Sequence, residues 1–388
     1  MKKQKKSFSI LLEESKDEAR RKIMRKIPSW NGIEGIELPS SLSIEQCSSE
    51  ATAIFKASLA KEILKGKPVI CDLTCGLGAD SWAFSRIARQ VISYERSDTL
   101  SSATRSNFAK LGISNVELRC EEVSISTVFP ECDMFYADPA RRDGLGKKVF
   151  LLEDCTPDIT LLLPVLFTRA KTIMLKLSPM ADLTMLTSRL GPIIREMHIV
   201  SVKSEVKELL CILSSCTADE PNAESTDKPT IFATDLDENG SDLGTFRFSP
   251  HEETISRINI CHTPHPGDIL LEPKAAIMKT GAFKLLCQRF GIGKIAPTTH
   301  LYIAPAGQPT EEFLPFFKIF VISEIREFCG RTIKELGETY PHAEVSAKNL
   351  PLSSEELQRK LNSKGGGPYH IFGCSAPSTR LLIVTRKP

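Results

Sequence analysis

The sequence predicts an α/β protein: a mostly parallel central sheet finished by an antiparallel hairpin, with a helical region before it and a smaller α+β module behind it. Two observations carry this. From Pro68 to about Ser215, apolar strand-like runs alternate with helical stretches, the pattern of a parallel sheet covered by helices. The last two runs are joined only by Lys203 to Lys207, too short for a crossover helix, so they must pair antiparallel. At 388 residues the chain also exceeds one ordinary core, so several domains are expected.

In chain order, a charged helical pattern runs from Phe8 to Lys26 and is broken by Pro28, Trp30-Asn31-Gly32 and Pro39. A second helix is expected from Ser48 to Lys65, with Ser49 as cap and Ala53, Ile54, Ala57, Leu59, Ala60, Ile63 and Leu64 as its apolar face. Seven strands follow, at 69–73, 90–94, 116–120, 133–137, 171–177, 197–202 and 208–214. The polar stretch 217–228 marks a boundary, and Pro229–Ala233 with Gly244–Phe248 then reads as a hairpin. A helix after Pro273 and a strand near His300–Ala304 come next. The last section alternates strands (316–322, 342–346, 369–374, 380–385) with helices (324–337, 353–363). The domains expected are a helical region 1–66, a sheet domain 67–216, a linker hairpin with a small domain 217–310, and a final module 311–388.

Composition excludes several classes. With 41% apolar and 25% charged residues, the chain is that of a globular protein, and no run approaches the ~18 apolar residues of a membrane span. The basic amino terminus lacks the apolar stretch of a signal peptide, so a cytoplasmic location is expected. None of the twelve cysteines sits in a Cys-x-x-Cys pair, which suits reduced core residues. Cys261, His262 and His265 lack a second ligand pair at zinc-like spacing, so no metal is expected. The net charge of +2 hides a segregation: +6 over residues 1–26, −8 over 217–270 and +6 over 271–388. The basic ends suit nucleic-acid phosphate, or are simply solvated helix faces.

The most informative stretch is Val69 to Asp80. A buried strand ends in Asp72, opens through Thr74 into Gly76-Leu77-Gly78, closes on Asp80 and enters a helix. A dinucleotide fingerprint needs a third glycine where Ser81 stands, and the Lys-Ser/Thr of a P-loop is missing. Asp72 and Asp80 would repel a pyrophosphate, whereas a sulfonium with an amino group favours them, which points to S-adenosylmethionine. On that reading Asp72 orients the methionine end, directly or through water, and Gly76 and Gly78 let the backbone approach the ligand without a Cβ. Glu95, seventeen residues after Gly78 at the end of the next strand, accepts from both ribose hydroxyls, and Glu121 or Glu122 meets the adenine amino group.

The fourth strand ends in Asp138-Pro139-Ala140-Arg141-Arg142, where an acceptor lies in such sheets. Methyltransferases acting on nucleobase amines use an Asp/Asn-Pro-Pro-aromatic turn there. Ala140 and Arg141 depart from it, which weakens an exocyclic-amine assignment. The two arginines suit RNA phosphate or an internal salt bridge. Carbon methylation would need a cysteine nucleophile, for which Cys155 and Cys132 have no fitting context. Lys176 and Ser178 end the fifth strand on the same side.

Together, Gln46 to Thr52, Asp72 to Asp80, Asp138 to Arg142, Lys176 to Pro179, Glu272-Pro273, Lys279 to Phe283, His300 to Tyr302 and Lys348 to Pro351 carry a resemblance. The chain resembles, over nearly its whole length, bacterial class I S-adenosylmethionine-dependent methyltransferases with a THUMP-like carboxyl-terminal domain. The resemblance implies a Rossmann-like seven-stranded sheet, a ferredoxin-like piece around residues 268–305 and a THUMP-like module after it. It also makes RNA, tRNA or rRNA, the natural substrate, with Asp138, Pro139 and Arg141 at the acceptor. The alternatives are a small-molecule or protein methyltransferase, or an RNA-binding protein that keeps the fold without catalysis.

Overall fold

The computed structural model describes residues 8–141, 152–215, 229–261 and 263–387. It divides into two compact units: residues 1–229 with 236–242, and 230–235 with 243–388.

In the first unit, helices α1 (Phe8–Lys26), α2 (Ser41–Gln46) and α3 (Glu50–Leu64) precede the sheet. Ser49 caps α3 by accepting from the Thr52 N–H, which satisfies one of the orphan amides of the first turn. The helix therefore starts two residues after the position expected from Ser48. Among the described residues, seven longer strands follow: β1 (Val69–Asp72), β2 (Gln90–Glu95), β3 (Val116–Cys120), β4 (Met134–Ala137), β5 (Thr172–Leu177), β6 (Ile194–Val202) and β7 (Glu205–Ser214). Helices α4 (Ala79–Ser85), α5 (Asp98–Lys110), α6 (Ile159–Leu166) and α7 (Leu183–Leu190) connect them.

These seven strands run in the order β3-β2-β1-β4-β5-β7-β6. The first five are parallel, and β7 pairs antiparallel with both β5 and β6. The β6–β7 link is tighter than expected: Lys203 and Ser204, both at positive φ (54° and 59°), turn the chain between Val202 and Glu205. Two left-handed residues match the twist of a hairpin. Strands β1 and β4 are buried along their whole length, as central parallel strands covered on both faces must be. One apolar cluster joins Ile23, Ile27 and Trp30 to Ala53, Ala57 and Ala60 of α3, and to Ile70, Phe84, Val91 and Tyr136 around the sheet. The amino-terminal helices thus share the core of the sheet, and their burial contributes to its stability at roughly 25 cal/mol per Å² of apolar surface.

The second unit has a seven-stranded sheet of its own. Its order is Gly293–Ala296, Thr299–Ala304, Ile269–Pro273, Phe317–Glu327, Arg380–Arg386, Tyr369–Ser375 and Ala343–Lys348. Neighbouring strands in it are antiparallel except the last two, which run parallel. Helices Gly330–Thr339 and Ser354–Leu361 cover one face through Leu336, Leu357 and Leu361. The helix expected from residue 324 starts at Gly330, because Glu324–Glu327 pair with Leu381–Val384. That segment is charged enough to suit a helix, and ladder pairing overrides its local preference. The helix after Pro273 is two helices, split where Gly281 turns left-handed at φ 76°.

Candidate active site

The turn after β1 is held by its neighbours. Leu73 N–H donates to the Tyr136 carbonyl of β4 at 2.9 Å, and Cys75 N–H to the Tyr94 carbonyl of β2 at 2.8 Å. Asp72 lies beneath this turn with 0% exposure. It accepts from Thr74 N–H at 2.9 Å and from Ser81 Oγ at 2.5 Å, so it ties the turn to the first helical turn of α4. Burial pushes its carboxyl up to about 7, against the opposing pull of the Ser81 and Thr74 donors. Asp72 does not line the cavity described next, so the methionine-orienting role expected of it has no direct path.

The two glycines differ. Gly76 borders the cavity at φ 57°, a Cβ there would come no closer than 4.0 Å to Thr74 O, and its N–H donates to Glu95 Oε2 at 2.9 Å. Gly78 caps α4 at φ 86°, and a Cβ there would meet Phe108 at 2.5 Å and Thr104 at 2.9 Å. Gly78 is therefore required by the approach of α5 and by its own backbone.

Above the turn opens a cavity of about 750 Å³, within the range of small-ligand sites. Thr74, Gly76, Asp80, Glu95, Glu121, Asp138 and Lys176 all line it. At one end, Glu95 accepts from Gly76 N–H and, at 2.8 Å, from Ser97 N–H, which fixes its carboxylate at the end of β2. Glu121 and Glu122 both border this end, and Glu122 reaches Arg96 at 3.7 Å. Leu100 and Val123 add apolar surface.

The other end is a buried charge network. Asp80 Oδ2 accepts from Ser48 Oγ at 2.8 Å and Tyr136 OH at 2.7 Å, while its Oδ1 lies 3.2 Å from Lys56 Nζ and has no hydrogen bond. Lys56 has 0% exposure and meets both oxygens of Glu208 at 2.8 Å. Burial would raise the Asp80 carboxyl, but Lys56, Lys176 and the two hydroxyls outweigh it and hold Asp80 below the usual carboxylate range. Asp138 pairs with Lys176, and its N–H donates to Thr74 Oγ1 at 2.7 Å. Burial opposes the charge on Lys176, yet Asp138, Glu208 and Asp80 together keep that ammonium above its ordinary range.

Pro139 follows Asp138 but does not line the cavity, whereas Ala140 does, paired antiparallel with Thr156. Arg141 has its backbone in that short ladder; its side chain, and all of Arg142, lie outside the described residues. So does His262. Cys155 is buried, and neither it nor Cys132 lines the cavity. The cysteines that do line it, Cys47 and Cys75, have thiols raised by burial, the opposite of an activated thiolate.

Reading the sequence missed Lys56, Glu208, Tyr136 and Ser48, and the share of Ser43, Gln46 and Cys47 in the wall. One signal was present: Lys56 falls on the same helical face as Ala53, Ala57 and Ala60, where an unpaired charge has no place.

A crystal structure of a protein described as a methyltransferase from Porphyromonas gingivalis W83 is similar to this chain throughout. It has 31% identity, spans 96% of this chain and 89% of that one, and superposes with a TM-score of 0.81. The chain belongs to this methyltransferase family. A family model for a ferredoxin-like domain matches residues 270–309 of the methyltransferase. No curated protein sequence matches it. Weaker structural likenesses include an rRNA methylase from Streptococcus thermophilus (13% identity, 42% of this chain and 96% of that one, TM-score 0.32). Another is the T. thermophilus 16S rRNA N2 G1207 methyltransferase in complex with AdoMet and guanosine (13%, 44% of each chain, TM-score 0.33). No described helix is long and apolar enough to cross a membrane.

Proposed function

We propose that this methyltransferase uses S-adenosylmethionine to methylate RNA, at a base nitrogen, and that the cavity at the carboxyl ends of β1, β2 and β4 holds both donor and acceptor. The observation that carries the reading is the separation of acids within one cavity. Glu95 ends β2 and Glu121 follows β3 on one side of β1, while Asp138 follows β4 on the other, where Asp80 meets Lys56. The residues fit the cofactor: an anchored carboxylate suits vicinal hydroxyls, and the Asp80 carboxylate at the cavity wall suits an ammonium donor. When bound, S-adenosylmethionine supplies a methyl group already activated by its sulfonium.

The protein's part is then alignment, which can supply much of a barrier. Glu95 and Glu121 hold the nucleoside, with the Gly76 backbone alongside. Thr74 fixes the start of the acceptor turn through the Asp138 N–H. Asp138 accepts a hydrogen bond from the acceptor's N–H, with Lys176 fixing its carboxylate. Pro139 shapes the turn, and Arg141 is assigned to the RNA backbone. Asp72 acts from below by holding the turn. The net +6 of residues 271–388 supports RNA as the class of acceptor, with the carboxyl-terminal module, THUMP-like by resemblance, as its docking surface.

Transfer of tritiated methyl from S-adenosylmethionine into total RNA of a deletion strain tests this. Incorporation that falls on Asp138→Ala is expected. No incorporation above a protein-free blank would overturn the RNA assignment.

A further inference from the structure

Lys56 stands in α3, outside the turns that carry the site's acids, yet it is among the largest fully buried side chains of the described residues. An apolar residue would serve better between Ala53 and Ala60 if packing were all that mattered, because removing an ammonium from water is costly. Its partners show where that cost is offset. Glu208 of β7 grips it through two oxygens at 2.8 Å, Ser48 Oγ lies at 3.1 Å, and Asp80 Oδ1 at 3.2 Å. Of these, Ser48 lines the cavity and so does Asp80. Its other oxygen is fixed by Ser48 and Tyr136, so the carboxylate plane is set from three elements: α3, β4 and the segment between α2 and α3.

At this end Lys56 and Lys176 pair with Asp80, Glu208 and Asp138, and Asp80 is the carboxylate that both touches Lys56 and lines the cavity.

We propose that Lys56 is a positioning residue of the cofactor site: anchored by Glu208, its ammonium holds the Asp80 carboxylate at the cavity wall, where Asp80 receives the α-ammonium of the cofactor's amino-acid end. This rests on the cofactor reading above. It also makes the amino-terminal helical layer part of the binding site, since Lys56 and Ser48 both come from it.

Two ligands separate positioning from simple support of the fold. S-adenosylhomocysteine carries the amino-acid end; 5′-methylthioadenosine keeps the nucleoside and thioether but lacks it. Calorimetry on the full chain should show Lys56→Met weakening S-adenosylhomocysteine about tenfold or more, with 5′-methylthioadenosine within about twofold of wild type. Lys56→Arg should restore most of the difference. Because Lys56→Met strands two buried carboxylates, the paired variant Lys56→Met/Glu208→Leu serves where the single one does not fold. It should show the same selective loss. Equal weakening of both ligands, or no weakening of either, would overturn the inference and leave the cofactor reading intact. Wild-type protein that binds neither ligand would overturn both.

Discussion

The cavity end at Glu95 and Glu121 is made of residues at strand ends between Thr74 and Val123, with Glu95 anchored by the backbone N–H groups of Gly76 and Ser97. The end at Asp80 and Asp138 is held by Ser48, Lys56, Lys176 and Glu208, which come from α3, β5, β7 and the segment before α3. The first is a local design, in which strand ends present the acids and backbone N–H groups of the adjoining turns fix Glu95. The second exists only once distant segments have packed, so its binding geometry and its folding stability are the same interactions. Substitutions should therefore separate the two ends: long-range partners should cost stability as well as affinity, and local anchors mainly affinity.

The largest effect is expected for Lys56→Met. Removing one partner from a buried ion pair leaves the others uncompensated, so urea unfolding should show a loss of about 3–5 kcal/mol, and Glu208→Leu in addition should recover most of it. A loss of less than 1 kcal/mol would mean that the network is not the integrated unit described here. Next comes the contrast between glycines. Gly78→Ala forces a Cβ against Phe108 at 2.5 Å in a left-handed backbone, and should cost about 2–4 kcal/mol. Gly76→Ala meets little and should cost about 1 kcal/mol, by melting temperature. Equal costs would break the distinction between a glycine required by packing and one at the cavity.

A pH dependence is read as a slope rather than as a single loss. Asp72 is pushed up to about 7 in the folded protein, so between about 4 and 7 the folded state binds the proton more tightly than the unfolded state. Its contribution to stability is present below about 4 and is lost as pH rises through 7. Asp72→Asn removes that loss. Its stability relative to wild type should rise across this window, by of the order of 1 kcal/mol per pH unit, in urea titrations at several pH values. A flat difference would mean that Asp72 stays ionised beneath the turn.

The same contrast explains what the sequence made legible. The seven strands of the first unit were readable because parallel strands buried on both faces give unbroken apolar runs, and Glu95 and Asp138 because an acid at a strand end stands out. Lys56 and Glu208 were not readable as partners: they lie 152 residues apart, and only the packing of α3 against the hairpin brings them together. Asp72 shows the opposite failure. Its place in the motif suggested a role at the ligand's methionine end, directly or through water; Ser81 and Thr74 turn its carboxylate inward, beneath the turn. Gly78 was read as making room for a ligand; the room is taken by Phe108.

The central claim is that the cavity binds S-adenosylmethionine with Glu95 on its ribose. Titration calorimetry of S-adenosylmethionine into wild type and Glu95→Ala tests it most directly. The prediction is saturable one-to-one binding by wild type, weakened about tenfold or more in Glu95→Ala, as expected for losing hydrogen bonds to a charged acceptor. Unchanged affinity in Glu95→Ala, or no binding by wild type, would contradict it.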